Sequence, residues 1–157
     1  CDGVGVEPDI LTAAKGIANG LPLGTTLVKD WIAEDAGDHG STFSGGPVVC
    51  AAANATLDTV VDEDVPGNAA AVGEYLRAEL ETAVEEHDLP VREIRGVGLM
   101  IGVEVKRGAN RVLKQLALRE QVLALPAGRT VVRLLPPLTI DKAHADQFVD
   151  SFVEVLG

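Results

Sequence analysis

Hydrophobic and polar positions change rhythm several times along these 157 residues. Ile10, Leu11 and the small residues up to Ala14 read as a short buried strand over 8–14, closed by a turn at Lys15 and Gly16. Thr25 to Val28 reads as a second strand, and Trp31 to Ala36 as a short helical or loop piece. From Pro47 the pattern is that of a helix of small residues running to about Val61, with Pro47 suited to its first turn. The acidic run Asp62-Glu63-Asp64 and the pair Pro66-Gly67 mark a boundary, which divides the chain into residues 1–62 and 63–157. Beyond it Val72, Leu76, Leu80 and Val84 recur every four residues and predict an amphipathic helix of roughly five turns. Val97, Leu99, Ile101, Val103 and Val105 alternate and predict one half-buried strand. A helix around 109–121 follows, then strands at 122–125 and 130–134 joined by Pro126-Ala127-Gly128-Arg129. Pro136-Pro137 stops the second of these. Asp141 caps a last helix that carries Ala145, Phe148, Val149, Phe152, Val153 and Leu156 on one face. Residues 63–157 thus read as an α+β unit, and residues 1–62 as the tail of another domain.

Composition sharpens this picture. Nearly half the residues are apolar but few are aromatic, so the core is built of Val, Leu, Ile and Ala. Asp and Glu number 24 against 13 Lys and Arg, a balance that argues against nucleic acid and anionic membranes as partners. Few of the basic residues are lysines. An acidic, lysine-poor chain of this kind is expected in a protein kept soluble at high salt. Cys1 and Cys50 have neither metal-ligand nor disulfide spacing, and Cys50, in a run of small residues, reads as an inert core thiol. No signal peptide or bilayer-spanning apolar stretch is present, which points to a reducing, cytoplasmic setting. The chain opens at Cys1 in mid-pattern and reads as a piece of something longer.

Three places carry candidate chemistry. Lys15 lies between an apolar run and the glycine-punctuated segment Gly16-Ile17-Ala18-Asn19-Gly20-Leu21-Pro22-Leu23-Gly24. A desolvated lysine loses its proton readily, and its neutral amine forms Schiff bases with carbonyls. The rival reading is a surface lysine beside a turn. The loop from His39 to Pro47 is rich in glycine and hydroxyls and opens a helix, which suits a phosphate ester, with Ser41 and Thr42 as hydroxyl donors. Its alternative is an ordinary capped loop, with His39 a structural donor. Arg133 stands among apolar residues in Thr130-Val131-Val132-Arg133-Leu134-Leu135-Pro136-Pro137-Leu138. It calls for a planar anion, either a ligand carboxylate or an ion-pair partner from this acidic chain. The glycines of Arg95-Gly96-Val97-Gly98-Leu99-Met100-Ile101-Gly102 imitate a dinucleotide fingerprint. The third glycine comes one place late and the group precedes its strand, so the reading is tight backbone packing at a strand entry.

Taken in order, the Lys15 segment, His39-Gly40-Ser41-Thr42-Phe43, Arg95-Gly96-Val97-Gly98-Leu99-Met100 and Arg133-Leu134-Leu135-Pro136-Pro137-Leu138 resemble the C-terminal portion of class-III pyridoxal-phosphate-dependent aminotransferases. The resemblance spans essentially the whole chain. It implies an α/β fold: the end of the large, mainly parallel-sheet domain of a fold-type-I transferase, with an interdomain helix, followed by the small α+β C-terminal domain. It implies pyridoxal 5'-phosphate as cofactor and Lys15 as the Schiff-base lysine that also moves the substrate proton. Thr42, with Ser41 beside it, would bind the cofactor phosphate across the interface of a homodimer. Arg133 would hold the α-carboxylate of glutamate or 2-oxoglutarate. The segment from Val122 through Arg133 looks closest to the biosynthetic branch. Its members move a terminal amino group from acetylornithine, or from lysine or ornithine on an amino-group carrier protein, to 2-oxoglutarate in arginine or lysine biosynthesis.

The sequence departs from the family at Gly46, where an Asn usually precedes the proline. The family's upstream half, with the carboxylate partner of the pyridine nitrogen, the stacking aromatic, a second phosphate loop and a second substrate arginine, is absent from these residues. By themselves they are expected to be inactive. Rival readings are an ornithine aminotransferase or aminomutase of the same family, and a non-catalytic α+β module that dimerises or binds a phosphate anion. A nucleotide-binding domain is disfavoured by the misplaced glycines.

Overall fold

The computed structural model describes residues 5–32 and 41–157. The chain divides into two compact units, Cys1–Glu63 and Asp64–Gly157.

In the first unit β1 (Ile10–Ala13) and β2 (Thr25–Val28) pair antiparallel, with Ile10 opposite Val28 and Ala13 opposite Thr25. A 3-10 turn over Lys15–Ala18 leaves β1, and helix α1 (Pro47–Asp62) packs on that turn, with Ala18 buried. Pro47 occupies the first turn of α1, where its missing N–H costs nothing. The strand expected to be buried is instead exposed at Ile10 and Leu11, as are Leu27 and Val28 of its partner. Two strands make a single ladder, and no described layer covers either face of it. Cys50 is half-buried on α1 rather than in a core. Of the piece expected over 31–36, Trp31 and Ile32 form a turn closed by the Ile32 amide on the Lys29 carbonyl at 2.9 Å. The remaining residues of that piece, together with His39 and Gly40, lie outside the described residues.

The second unit runs α2 (Val65–Glu86), β3 (Val91–Val97), β4 (Met100–Val105), α3 (Ala109–Arg119), β5 (Leu125–Ala127), β6 (Val131–Leu134) and α4 (Lys142–Leu156). Its four strands form one antiparallel sheet in the order β3-β4-β6-β5. Alternation along β4 and β6 sends Ile101, Val103, Val105, Val132 and Leu134 to one face. There they join Leu76 and Leu80 of α2, Leu116 of α3 and Phe148 and Phe152 of α4 in a single core. Each such side chain contributes about 1.5–3 kcal/mol on leaving water. The other face carries Glu93, Arg95, Met100, Gly102, Glu104, Val131 and Arg133. Among the helices of this unit none lies over it, and Val97, Met100 and Leu125 are exposed.

Three sequence expectations change here. The alternation over 97–105 is a hairpin rather than one strand. Gly98, with φ +54°, turns the chain and Leu99 drops into the core, so the apolar period passes through a turn unbroken. Residues 122–124 are not strand. β5 starts at Leu125 and includes Pro126, which is tolerated because β5 is the sheet edge. Helix α2 begins at Val65, ahead of its apolar stripe, so Pro66 and Gly67 lie in its first turn and the Asp64 side chain accepts from the Gly67 amide at 3.3 Å. The glycines at 73, 96 and 98 hold the backbone tightly: a Cβ at Gly73 would overlap the Gly98 carbonyl, and one at Gly96 the Met100 carbonyl.

Tyr75 of α2 donates to Asp146 of α4 at 2.7 Å, which pushes its phenol up to about 12, and the Lys142 ammonium lies 4.6 Å from the Tyr75 ring centroid. Asp141 caps α4 as the sequence indicates. Its carboxylate accepts from the His144 amide at 3.1 Å, and the Asp141 amide donates to His144 Nδ1 at 3.4 Å to complete a capping box. The backbone N–H of His144, and then its side chain, hold the Asp141 carboxyl below the usual carboxylate range. A depressed carboxylate stabilises the fold above its unfolded pKa, and that stabilisation fades as pH falls through the folded value. Urea unfolding followed from about pH 5 downward should therefore lose less stability in Asp141→Asn than in the parent.

Candidate active site

Lys15 is the first residue after β1 in which the chain leaves extended geometry. Ala14 is extended at φ −160°, ψ −155°, and Lys15 then takes φ +62°. A non-glycine residue in the left-handed region costs about 1–3 kcal/mol and persists where its surroundings over-determine it. Those surroundings are the Ile17 amide returning to the Ala14 carbonyl at 3.4 Å, the Asn19 amide to Gly16 at 3.0 Å, and Asn19 itself left-handed at φ +46°. The desolvation expected of Lys15 is absent, because its side chain is exposed in a unit with no described layer over β1. At the other end of the ladder Lys29 is committed to Glu7 at 3.4 Å and Asp9 at 3.1 Å, whereas Lys15 has no carboxylate within 4 Å among the described residues.

Ser41 and Thr42 are exposed in the turns that lead into α1. The Ser44 hydroxyl is spent on the Ser41 carbonyl at 3.0 Å, which tightens the loop. The Ser41 and Thr42 hydroxyls make no hydrogen bond among the described residues. Gly45 is left-handed at φ +66°, and Gly46 gives α1 no side-chain cap. The first-turn amides of α1 are thus left for an outside acceptor.

Arg133 is the middle of a row across the second unit's sheet. Gly102 of β4 faces it on one side and Leu125 of β5 on the other, and Gly102 also faces Arg95 of β3. Arg95 is committed to Glu93 at 2.5 Å and Glu104 at 3.4 Å, and Glu104 further meets Arg92 at 3.5 Å. Arg133 meets no carboxylate among the described residues, and its Nε is buried without a hydrogen-bond partner. The ion pair with the chain's own carboxylates, left open by the sequence, is not formed with any of the described ones. A buried guanidinium nitrogen in that state costs free energy until an anion arrives. Beside it a shallow cavity of about 400 Å³ is lined by Arg95, Gly96, Met100, Gly102, Val131 and Arg133. Beyond the loop that follows, Asn68 of α2 donates to the carbonyls of Leu138 at 2.7 Å and Ile140 at 3.1 Å. Asn68 did not stand out in the sequence, and Gly102 did so only as the late third glycine of the imitation fingerprint. The signal for Gly102 was a glycine inside an alternating strand, where a β-branched residue fits better.

The first unit thus offers a strained lysine and a loop of free hydroxyls, and the second an arginine unpaired among the described residues on an antiparallel sheet. The aminotransferase class-III family profile matches residues 1–156. An acetylornithine aminotransferase of Methanothermobacter thermautotrophicus is 42% identical over 155 residues, which cover 98% of this chain and 38% of that protein. A putative [LysW]-aminoadipate semialdehyde/glutamate semialdehyde transaminase of Aeropyrum pernix is 43% identical over 150 residues, covering 94% and 38%. The crystal structure of acetylornithine aminotransferase from Elizabethkingia anophelis superposes with a TM-score of 0.89 at 31% identity, over 99% of this chain and 40% of that one. The chain belongs to the class-III aminotransferases, and its fold is that of this pyridoxal-phosphate-dependent family. It spans about two-fifths of the length of the relatives it matches. No helix among the described residues is long and apolar enough to cross a membrane.

Proposed function

We propose that these residues serve in an aminotransferase that moves a terminal amino group from acetylornithine, or from carrier-bound lysine or ornithine, to 2-oxoglutarate in arginine or lysine biosynthesis. Residues 1–62 then belong to the end of the large cofactor-binding domain with its interdomain helix, and residues 63–157 form the small C-terminal domain. The single observation that carries the reading is Arg133 Nε, buried without a partner and beside a cavity, in a chain with carboxylates to spare.

The residues present fit pyridoxal phosphate. Lys15 supplies an amine with no carboxylate partner among the described residues, on a turn whose strain supports a chemical role. Ser41, Thr42 and the uncapped start of α1 supply hydroxyl and amide donors suited to a phosphate. When bound, the cofactor supplies an electron sink for the carbon that carries the transferred amine. Lys15 Nζ would hold the cofactor covalently and, once the substrate amine has displaced it, its free amine would carry the proton to and from the reacting carbon. Thr42, with Ser41, anchors the phosphate across a homodimer interface. Arg133 binds the α-carboxylate of glutamate or 2-oxoglutarate through its planar fork and so orients the amino acceptor.

The acidic, lysine-poor composition supports work in a salt-rich cytoplasm, and the relatives named for LysW support an amino-group carrier protein as a possible partner. The deciding experiment assays the full-length protein with acetylornithine, free ornithine and a carrier-bound donor against 2-oxoglutarate, in molar KCl and at low salt. The proposal expects turnover of the acetylated or carrier-bound donor well above that of free ornithine, with the higher rate in KCl. Preference for free ornithine would instead favour an ornithine aminotransferase, and no glutamate formed from any donor would defeat the reading.

A further inference from the structure

Gly102 occupies the interior of β4 without any backbone reason to do so. Glycine weakens a strand, since it loses the most conformational freedom and offers nothing to pack. The fold requires it at Gly73 and Gly96, where a Cβ would strike backbone carbonyls. At Gly102 a Cβ would meet only Val131 Cγ1 at 3.2 Å and the Arg95 carbonyl oxygen at 3.9 Å. The first is a half-buried side chain on the open face, which need give only slightly. Gly102 also has no left-handed φ. No backbone atom stands where a Cβ would strike it, unlike at Gly73 and Gly96, so the space is open to another use.

The sheet register says what the space is. Directly opposed residues of an antiparallel pair project to the same face about 4.5–5.5 Å apart at Cβ. Arg95, Gly102 and Arg133 are opposed in that order across β3, β4 and β6. The missing side chain opens a notch between two guanidinium-bearing residues, and the cavity of about 400 Å³ lies there. The Arg95 wall is neutralised by Glu93 and Glu104, while the Arg133 wall keeps an unpaired buried Nε. A planar anion entering the notch meets one free guanidinium on one side and a closed ion-pair network on the other.

We infer that Gly102 is a specificity-determining residue: its lack of a side chain forms the floor of the notch that admits the substrate carboxylate to Arg133. The inference rests on the substrate role given to Arg133. A β-branched residue at 102 fills the notch from a strand position that suits it, so it excludes the carboxylate.

The test uses the full-length protein with 2-oxoglutarate and the unreactive dicarboxylate glutarate as probes, their binding read by calorimetry alongside Tm. Gly102→Val should weaken both ligands at least about tenfold, with Gly102→Ala intermediate, while Tm holds or rises and cofactor uptake followed by absorbance is unchanged. Glutarate binding as tight in Gly102→Val as in the parent would overturn the notch. So would a fall in Tm for both variants, or loss of cofactor uptake in parallel with loss of glutarate, because either would mark the glycine as a folding requirement. Arg133→Met, measured beside them, separates the two claims. If it leaves glutarate binding intact, the substrate role of Arg133 fails first. If it abolishes binding while Gly102→Val does not, only the notch fails.

Discussion

Lys15→Ala in the full-length protein should abolish amino transfer, lowering kcat by at least about 10⁴-fold, the scale of a lost proton-transfer group even before the covalent role is added. Lys15→Arg should do the same, because a guanidinium stays protonated and can neither condense with a carbonyl nor accept the substrate proton. The fold should not suffer. Lys15 is exposed, has no ion-pair partner among the described residues and holds a left-handed φ of +62° that a lysine is not needed to satisfy. Lys15→Gly should even raise Tm, since glycine takes that conformation without strain. Loss of activity with unchanged or higher stability is the mark of a strained residue kept for chemistry. A Lys15→Ala enzyme retaining more than a few percent of parental turnover in a coupled glutamate assay would remove the residue from the mechanism.

Arg133→Met should produce the second largest effect. Truncating one partner of a buried charge pair costs about 2–5 kcal/mol, so kcat/KM for 2-oxoglutarate should fall about 30-fold or more. The loss should fall mainly on KM, and binding of pyridoxal phosphate should change little. Arg133→Lys should recover part of the affinity but not the two-pronged geometry. Stability should move the opposite way. In the unliganded state Arg133 buries Nε without a partner, and methionine keeps the apolar stem while removing that atom, so urea unfolding should show Arg133→Met equal to or more stable than the parent. Destabilisation together with equal losses of cofactor and 2-oxoglutarate binding would mean that Arg133 is structural.

Much of the fold could be read from local chemistry. Pro47 marked the start of α1, Asp141 the start of α4, and the Val72–Leu76–Leu80 stripe the buried face of α2, because caps and helical periods act over a few residues. Strand β3 could not be read. It is an edge strand whose Arg92, Glu93 and Arg95 face solvent and one another, so its sequence carries no apolar alternation. Its hairpin with β4 was hidden for the opposite reason: Val97, Leu99 and Ile101 keep strict alternation across the Gly98 turn. Pro126 read as a turn because its place at the sheet edge is a tertiary fact.

The site divides in the same way. Lys15 was visible through its scarcity and its glycine-rich flank. Its exposure was not, since that depends on what packs over β1. Arg133 was visible as a lone charge among apolar residues, but with 24 carboxylates in the chain nothing in the sequence decided between an ion pair and a vacant guanidinium. The register did, by giving Glu93 and Glu104 to Arg95 and leaving Arg133 opposite Gly102.

The most direct test of the central claim is covalent. The full-length protein, loaded with pyridoxal phosphate and reduced with borohydride, is digested and mapped by mass spectrometry. The account predicts the pyridoxyl mass on the peptide containing Ala13-Ala14-Lys15-Gly16, with Lys29, Lys106, Lys114 and Lys142 unmodified. A stoichiometric label on any other lysine, with Lys15 bare, would contradict it.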